Sequence, residues 1–258
     1  DILGLDADAA RALPGVVAVL TGHDLADVAG PLVPALRAAV DARAIAVDRV
    51  RYVGEPVAVV VAQDRYVAED GCDLIEVEYR ARPAMVDPLA ALAEDAPVLH
   101  EGVGQNLVSD RAFRYGDPDA AFAQARHTLS VTVRYPRNTG SPMETYGVVA
   151  EYDPSDDSYD LLANFQGPFS IHAVVARALK VPGNRLRLRT PPDSGGSFGV
   201  KQGVAPYAVL ICAAARKVGR PVKWIEDRME HLAASVSATN RVTTLTAAFD
   251  GEGRIAAL

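Results

Sequence analysis

The chain of 258 residues is poor in side chains that ligate metals, with two cysteines and five histidines. Cys72 and Cys212 each sit inside an apolar helical pattern, and neither has a partner at metal-ligand spacing. That excludes a zinc finger and a cysteine-held iron–sulfur cluster. Each cysteine reads as a buried free thiol, which points to a reducing compartment, the cytoplasm. His23, His100, His127, His172 and His231 are scattered. Zinc hydrolysis therefore has no ligand pair, and each histidine reads as a surface or satisfied core residue. Long apolar runs are also missing: charges interrupt every candidate before the roughly 20 residues that span a bilayer. No signal-peptide pattern is visible. Positive charge is in deficit, and a formal net charge of −7 argues against nucleic acid as the main partner. What is present is 49% hydrophobic, a globular composition long enough for one or two domains and a substantial core.

One stretch organises the rest: residues 185–203, RLRLRTPPDSGGSFGVKQG. Leu186 and Leu188 alternate with Arg185, Arg187 and Arg189, the period-2 pattern of a strand with two unlike faces. Pro191 and Pro192 stop it, Gly195, Gly196 and Gly199 form a glycine-rich loop, and an apolar segment over 204–218 follows at helical spacing. Strand, glycine loop and helix can present backbone N–H groups and a helix N-terminus to an anionic ligand. The same pattern serves equally as a turn that only redirects the chain.

In chain order, Asp6 is placed to cap a short helix over 7–13 that Pro14-Gly15 ends. Residues 16–20 and 57–62 read as buried strands, with a loop or short helices over 22–46 between them, carrying Gly30, Pro31 and Pro34. Asp64 caps a helix reaching Ile75, and 76–79 form a strand. Residues 80–116 read as a proline-punctuated connector with a turn of helix at 88–93. A helix opens at Asp117-Pro118, residues 128–135 alternate as a strand, and a DPSDD turn joins strands 147–152 and 159–163. Gln166-Gly167-Pro168 then leads into a helix ending near Pro182-Gly183. After the glycine loop and its helix come a strand over 221–225, a helix, and a hairpin at 250–253. The class is α+β. The loops at Gln166 and Phe198 both lie between a strand and the following helix, so they are expected to meet at one end of a sheet around one ligand. The chain opens at Asp1 without a methionine and closes just inside a strand. The expectation is a piece of a longer polypeptide.

Commoner chemistries do not fit. Gly195-Gly196-Ser197-Phe198-Gly199 is not G-x-G-x-x-G, although Glu226 or Asp227 stands where a ribose-binding acid belongs. Lys201 lies between Val200 and Gln202, which breaks the P-loop pattern. Ser197 has no nucleophile elbow and no evident base. The residues left are hydrogen-bond donors and glycines, suited to holding a large cofactor.

These residues carry a resemblance. LPGVVAVLTGHDL (13–25) and YVGEPVAVVVAQDRYVAED (52–70), followed by IEVEY and RPAMVDP, resemble the α/β-hammerhead domain of the xanthine dehydrogenase and aldehyde oxidase superfamily. Pro142-Met143-Glu144, Gln166-Gly167-Pro168 and the stretch Gly195 through Lys201 resemble ordered motifs at the start of its molybdenum-binding domain. The likeness runs to the large subunits of three-subunit bacterial enzymes, including those like aerobic carbon monoxide dehydrogenase. The implied architecture is a hammerhead domain over 1–98, a connector over 99–127, and the first part of a molybdopterin-binding domain over 128–258.

The resemblance implies a molybdenum hydroxylase, placing water-derived oxygen on an aldehyde, N-heterocycle or similar small substrate. Its cofactor is a molybdopterin, in bacteria usually the cytosine dinucleotide form. Iron–sulfur and FAD subunits are the implied partners, in a possible dimer of heterotrimers. Gln166 is implied to hydrogen-bond an oxo ligand of molybdenum. Gly167, Gly195, Gly196, Ser197, Phe198 and Gly199 line the cofactor, and no residue of this chain ligates the metal directly. Glu144 reads as a structural carboxylate at least as well as a functional one, and not as the base. Gln202 replaces the glutamate of xanthine-specific relatives, which makes it a candidate substrate contact and puts xanthine in doubt. Thr145 and Tyr146 replace a common Pro-Arg. The family's general-base glutamate is expected downstream, so no catalytic residue is assigned and this piece alone is expected to be inactive. The alternative is a non-catalytic hammerhead-containing interaction module or a truncated remnant.

Overall fold

The computed structural model describes residues 1–33, 40–236 and 238–258. Pro34 and its neighbours, part of the loop expected over 22–46, lie outside the described residues. Two compact units emerge, one of Asp1–Pro83 with Thr139–Ser237, the other of Ala84–Asn138 with Ala238–Leu258.

The first unit is built on a four-stranded sheet in the order Leu186–Arg189, Ser158–Ala163, Gly147–Asp153, Val222–Ile225. The DPSDD turn closes the central antiparallel hairpin, pairing Val148 with Ala163 and Asp153 with Ser158. Ser158–Ala163 and Leu186–Arg189 run parallel. A parallel pair needs a crossover, and helix Pro168–Ala178 supplies it. Helix Ala205–Val218 has an unbroken buried run from Ala208 to Ala215. A helix apolar on all sides belongs in an interior, and this one shares a core with Val148, Leu161, Val175 and Leu179. Leu20, Leu25, Ile45 and Val61 from the N-terminal segment join the same core.

That N-terminal segment contributes two antiparallel pairs, Ile2–Asp6 with Glu76–Tyr79 and Val16–Thr21 with Ala58–Ala62. Three details differ from the sequence pattern. The first helix is Asp8–Ala12, with Ala7 at its N-cap, because Asp6 ends a strand and its carboxylate accepts the Asp8 N–H. The strands expected to be buried are two-faced: Val17 is exposed and Ala58–Ala62 is mostly half-buried. Cys72 is exposed while Cys212 is buried, because helix Arg65–Asp73 turns Gly71 inward, against the Val60 side chain. The second unit holds a sheet in the order Ile255–Ala257, Arg241–Phe249, His127–Tyr135, with helix Pro118–Ala123. No helix among the described residues is long and apolar enough to cross a membrane.

Candidate functional site

Register dictates what gathers at one end of the four-stranded sheet. Val148, near the start of its strand, faces Ala163 at the end of the next, and Gly147 faces Ile225 at the end of the fourth. The parallel strand Leu186–Arg189 ends on the same side as Ser158–Ala163. Glu144, Gln166, the glycine loop and Glu226 therefore emerge together, although up to 82 positions of sequence separate them.

Gln166 is tied to the glycine loop from both backbone and side chain. Its N–H donates to the Lys201 carbonyl at 3.3 Å. Its Oε1 accepts the Gly199 N–H at 3.1 Å and the Ser197 hydroxyl. Because a backbone N–H can only donate, the atom facing Gly199 must be the amide oxygen. That leaves Nε2 as the outward donor, and no described residue accepts from it.

The loop itself is held in unusual backbone. Gly196 and Gly199 have φ of +93° and +97°, and nothing lies within 4 Å of where a Gly199 Cβ would stand. Phe198 also has positive φ, +53°, and is 78% exposed. A bulky residue in the left-handed region costs about 1–2 kcal/mol, and such strain collects at binding sites. Gly167, at φ +67°, caps helix Pro168–Ala178. Gln202 lies on the 3-10 turn Val200–Val204, exposed, with its amide near Gly167.

Beneath the loop lies an ion pair. Lys201 is only 1% exposed, and its ammonium pairs with Glu144, whose side chain is 37% exposed, while also reaching Ser194 Oγ at 3.4 Å. Glu144 Oε2 accepts the Gly195 N–H at 3.0 Å as well. Burial alone pushes the Glu144 carboxyl upward, but the Lys201 ammonium and the Gly195 N–H outweigh it and hold it below its ordinary value. A carboxylate so held is a poor proton acceptor near neutrality.

The next residues are clamped from the other side. The Thr145 hydroxyl donates to the Glu226 carbonyl at 2.6 Å, and the Tyr146 N–H donates to Glu226 Oε2 at 3.0 Å. The same oxygen meets His231 Nδ1 at 2.7 Å, with both side chains fully buried. Tyr146, edge-on to His231, donates its hydroxyl to the Val200 carbonyl at 2.6 Å. Burial first, and the Glu226 charge second, push the Tyr146 phenol well above its usual range, so it stays a donor. Asn164 Nδ2 donates to the Thr145 carbonyl at 2.7 Å, and its Oδ1 accepts the Gly147 N–H at 3.0 Å.

The structure thus brings Gln166, Gly167, Gly195, Gly196, Ser197, Phe198, Gly199 and Gln202 to one end of one sheet. Sequence reasoning placed Lys201 in the glycine-loop motif without giving it a role, and it missed Asn164 and the Glu226–His231 pairing. Once the fold buries Lys201 it needs a counter-charge, but no local spacing in the sequence identifies Glu144 as that partner.

Comparison with known proteins agrees. Residues 1–83 match the family described as the aldehyde oxidase and xanthine dehydrogenase a/b hammerhead domain, and residues 99–258 match the molybdopterin cofactor-binding domain. The chain is 37% identical over 244 residues to the carbon monoxide dehydrogenase large chain of Hydrogenophaga pseudoflava, covering 90% of this chain and 30% of that one. It is 34% identical to the nicotine 6-hydroxylase large subunit of Paenarthrobacter nicotinovorans, covering 98% and 31%. The crystal structure of quinoline 2-oxidoreductase from Pseudomonas putida 86 superposes with a TM-score of 0.87 at 34% identity, covering 98% of this chain and 33% of that one. The chain therefore spans about a third of the length of these relatives. With both of its segments matched, it belongs to the xanthine dehydrogenase and aldehyde oxidase family, as a hammerhead domain joined to part of the molybdopterin cofactor-binding domain.

Proposed function

We propose that this chain holds a molybdopterin cofactor against the Gln166 and glycine-loop face, as part of a molybdenum hydroxylase large subunit. The substrate class is an aldehyde, an N-heterocycle or a similarly small molecule. The observation that carries the reading is the orientation of the Gln166 amide, whose oxygen is occupied by Gly199 and Ser197 and whose Nε2 is left to donate. An electron-rich oxygen or sulfur group fits such a donor, and a carboxylate in its place would repel it. The open face at Gly199 lets a large ligand approach the backbone. When bound, the cofactor supplies the two-electron redox chemistry and the metal at which oxygen transfer occurs.

The residues of the chain orient and shield. Gln166 Nε2 would donate to an anionic group of the cofactor, and the open backbone at Gly199 would give that group close approach. Gly167, Gly195 and Gly196 shape the loops around it, Gly195 packed on Glu144. Ser197 supports the loop from within, and the exposed Phe198 side chain would pack near the bound group. Gln202, beside Gly167, faces the substrate side. Glu144 is spent on Lys201 and Gly195 and is not the base, so the proton acceptor is assigned to no residue of this chain.

The proposed layout is a hammerhead domain over 1–98, a connector over 99–127 and cofactor-binding sequence over 128–258. The match over 1–83 supports the first, and the match over 99–258 supports the last while also running through the connector. The cytosine dinucleotide form of the cofactor, iron–sulfur and FAD subunits in a dimer of heterotrimers, and a cytoplasmic home complete the proposal. Relatives named as large chains and large subunits support the heteromer, and the buried free thiol of Cys212 supports the compartment.

The test is molybdenum and pterin analysis of the full-length polypeptide carrying this sequence, purified from its host with its partners. Near-stoichiometric metal and a released pterin nucleotide are expected. Gln166→Ala should then lower activity or metal retention about 10- to 100-fold, the usual effect of removing a group that orients a metal centre. A full-length protein with neither metal nor pterin refutes the reading.

A further inference from the structure

Resting on that reading, we propose that Ser197 is a positioning residue: its hydroxyl acts through Gln166, fixing the plane and sense of the amide, and does not itself contact the cofactor. The terminal torsion of a glutamine side chain is broad and nearly two-fold, so its rotamer alone does not settle which end of the amide points outward. One hydrogen bond to the oxygen would settle the end but leave the amide free to swing about it.

Here the oxygen receives two donors, the Gly199 N–H at 3.1 Å and the Ser197 hydroxyl. Two donors at one carbonyl oxygen fix the plane of the amide as well as its sense. The hydroxyl is biased toward donating, because Ser197 Oγ itself accepts the Lys201 N–H at 3.3 Å. The chain of bonds therefore runs from the Lys201 N–H through Ser197 to Gln166, each link polarising the next. Lys201 in turn is anchored by Glu144 and lies next to Val200, whose carbonyl holds Tyr146. Ser197 is half-buried between Gly196 and the exposed Phe198, which suits an inward support better than an outward ligand.

The experiment is a double-mutant cycle in the full-length holoenzyme, combining Ser197→Ala with Gln166→Ala. Two readouts are taken: turnover, and molybdenum remaining per chain after extended dialysis. Ser197→Ala alone should lower both about 3- to 10-fold, as expected for one neutral hydrogen bond. Ser197→Thr, which keeps the hydroxyl, should restore them to within about twofold of wild type. In the Gln166→Ala background, Ser197→Ala should have no further effect, because the group it positions is gone. The same loss in both backgrounds overturns the proposal and makes Ser197 a direct contact or a structural residue. Failure of Ser197→Thr to rescue overturns it too. Wild-type protein without molybdenum overturns both this inference and the functional reading, whereas metal-replete protein with additive effects overturns this inference alone.

Discussion

Removing the charge of Glu144 is expected to cost more stability than removing that of its partner. Lys201 is 1% exposed and Glu144 37%, so the two halves of the pair leave behind different orphans. Glu144→Gln leaves the interior ammonium with a neutral amide oxygen and the Ser194 hydroxyl, 3.4 Å away, but no counter-charge. Breaking a buried pair in this way costs about 3–5 kcal/mol. Lys201→Met instead leaves a carboxylate at the rim, where water and the Gly195 N–H at 3.0 Å still serve it, and the Met side chain fills the space of the lysine stem. Screening at a site more than a third exposed reduces that cost to about 1–2 kcal/mol. The double variant carries no stranded charge and should fall within about 1 kcal/mol of wild type, giving a coupling of roughly 3–7 kcal/mol. The assay is equilibrium urea denaturation of the full-length polypeptide, with hydrogen exchange at residues 142–147 and 194–204 as the local readout. Equal single-variant costs, or a double variant as unstable as the sum of the singles, would refute the reasoning.

Acid should act through the same pair. The depressed Glu144 carboxyl contributes stability that is present above its unfolded value, near 4.5, and is lost as pH falls through the lower folded value. Wild type should therefore lose stability more steeply than Glu144→Gln below about pH 4.5, and parallel acid titrations of the urea midpoint would contradict this. Gly195→Ala places a Cβ 2.5 Å from Glu144 Cβ, so the two loops must part, at about 1–3 kcal/mol; unchanged hydrogen exchange over 194–204 would show that the contact is not tight. His231→Leu leaves the fully buried Glu226 carboxylate with only the Tyr146 N–H and should cost about 3–5 kcal/mol in the denaturation midpoint. A loss below about 1 kcal/mol would refute the view that the buried pair holds this end of the sheet.

Local pattern made much of this fold legible. The period-2 run at 186–189, the polar turn between strands 147–153 and 158–163, and the apolar run of 205–218 each set their element because burial on one or both faces forces the periodicity. The misses share a physical cause. Val17 and Cys72 sit in apolar strings, but which face of a short element turns inward depends on partners elsewhere in the chain, which hydrophobicity alone does not identify. The meeting of Gln166 with the glycine loop followed from both lying after strands. What the loops do to one another did not follow, since Lys201 and Glu144 are 57 positions apart and no local spacing links them. The motif resemblance singled out residues that the fold brings together, without showing that Ser197 faces Gln166.

The carboxylates at this end of the sheet make the last connection. The chain is acidic overall, and Glu144 and Glu226 both emerge beside the glycine loop, a poor setting for an electron-rich ligand if either faced outward. Each has one oxygen engaged from within: Glu144 Oε2 by Lys201 and the Gly195 N–H, Glu226 Oε2 by the Tyr146 N–H and His231. The bonds that neutralise them are also those that hold the loop, because Lys201 and Gly195 belong to it and Tyr146 grips Val200. Neutralising the acids and shaping the cradle are therefore one act, and the face left over offers the Gln166 Nε2 donor and open glycine backbone. The same substitution at Glu144 should for that reason disturb stability as well as cofactor retention, whereas Ser197→Ala should act chiefly on turnover and retention.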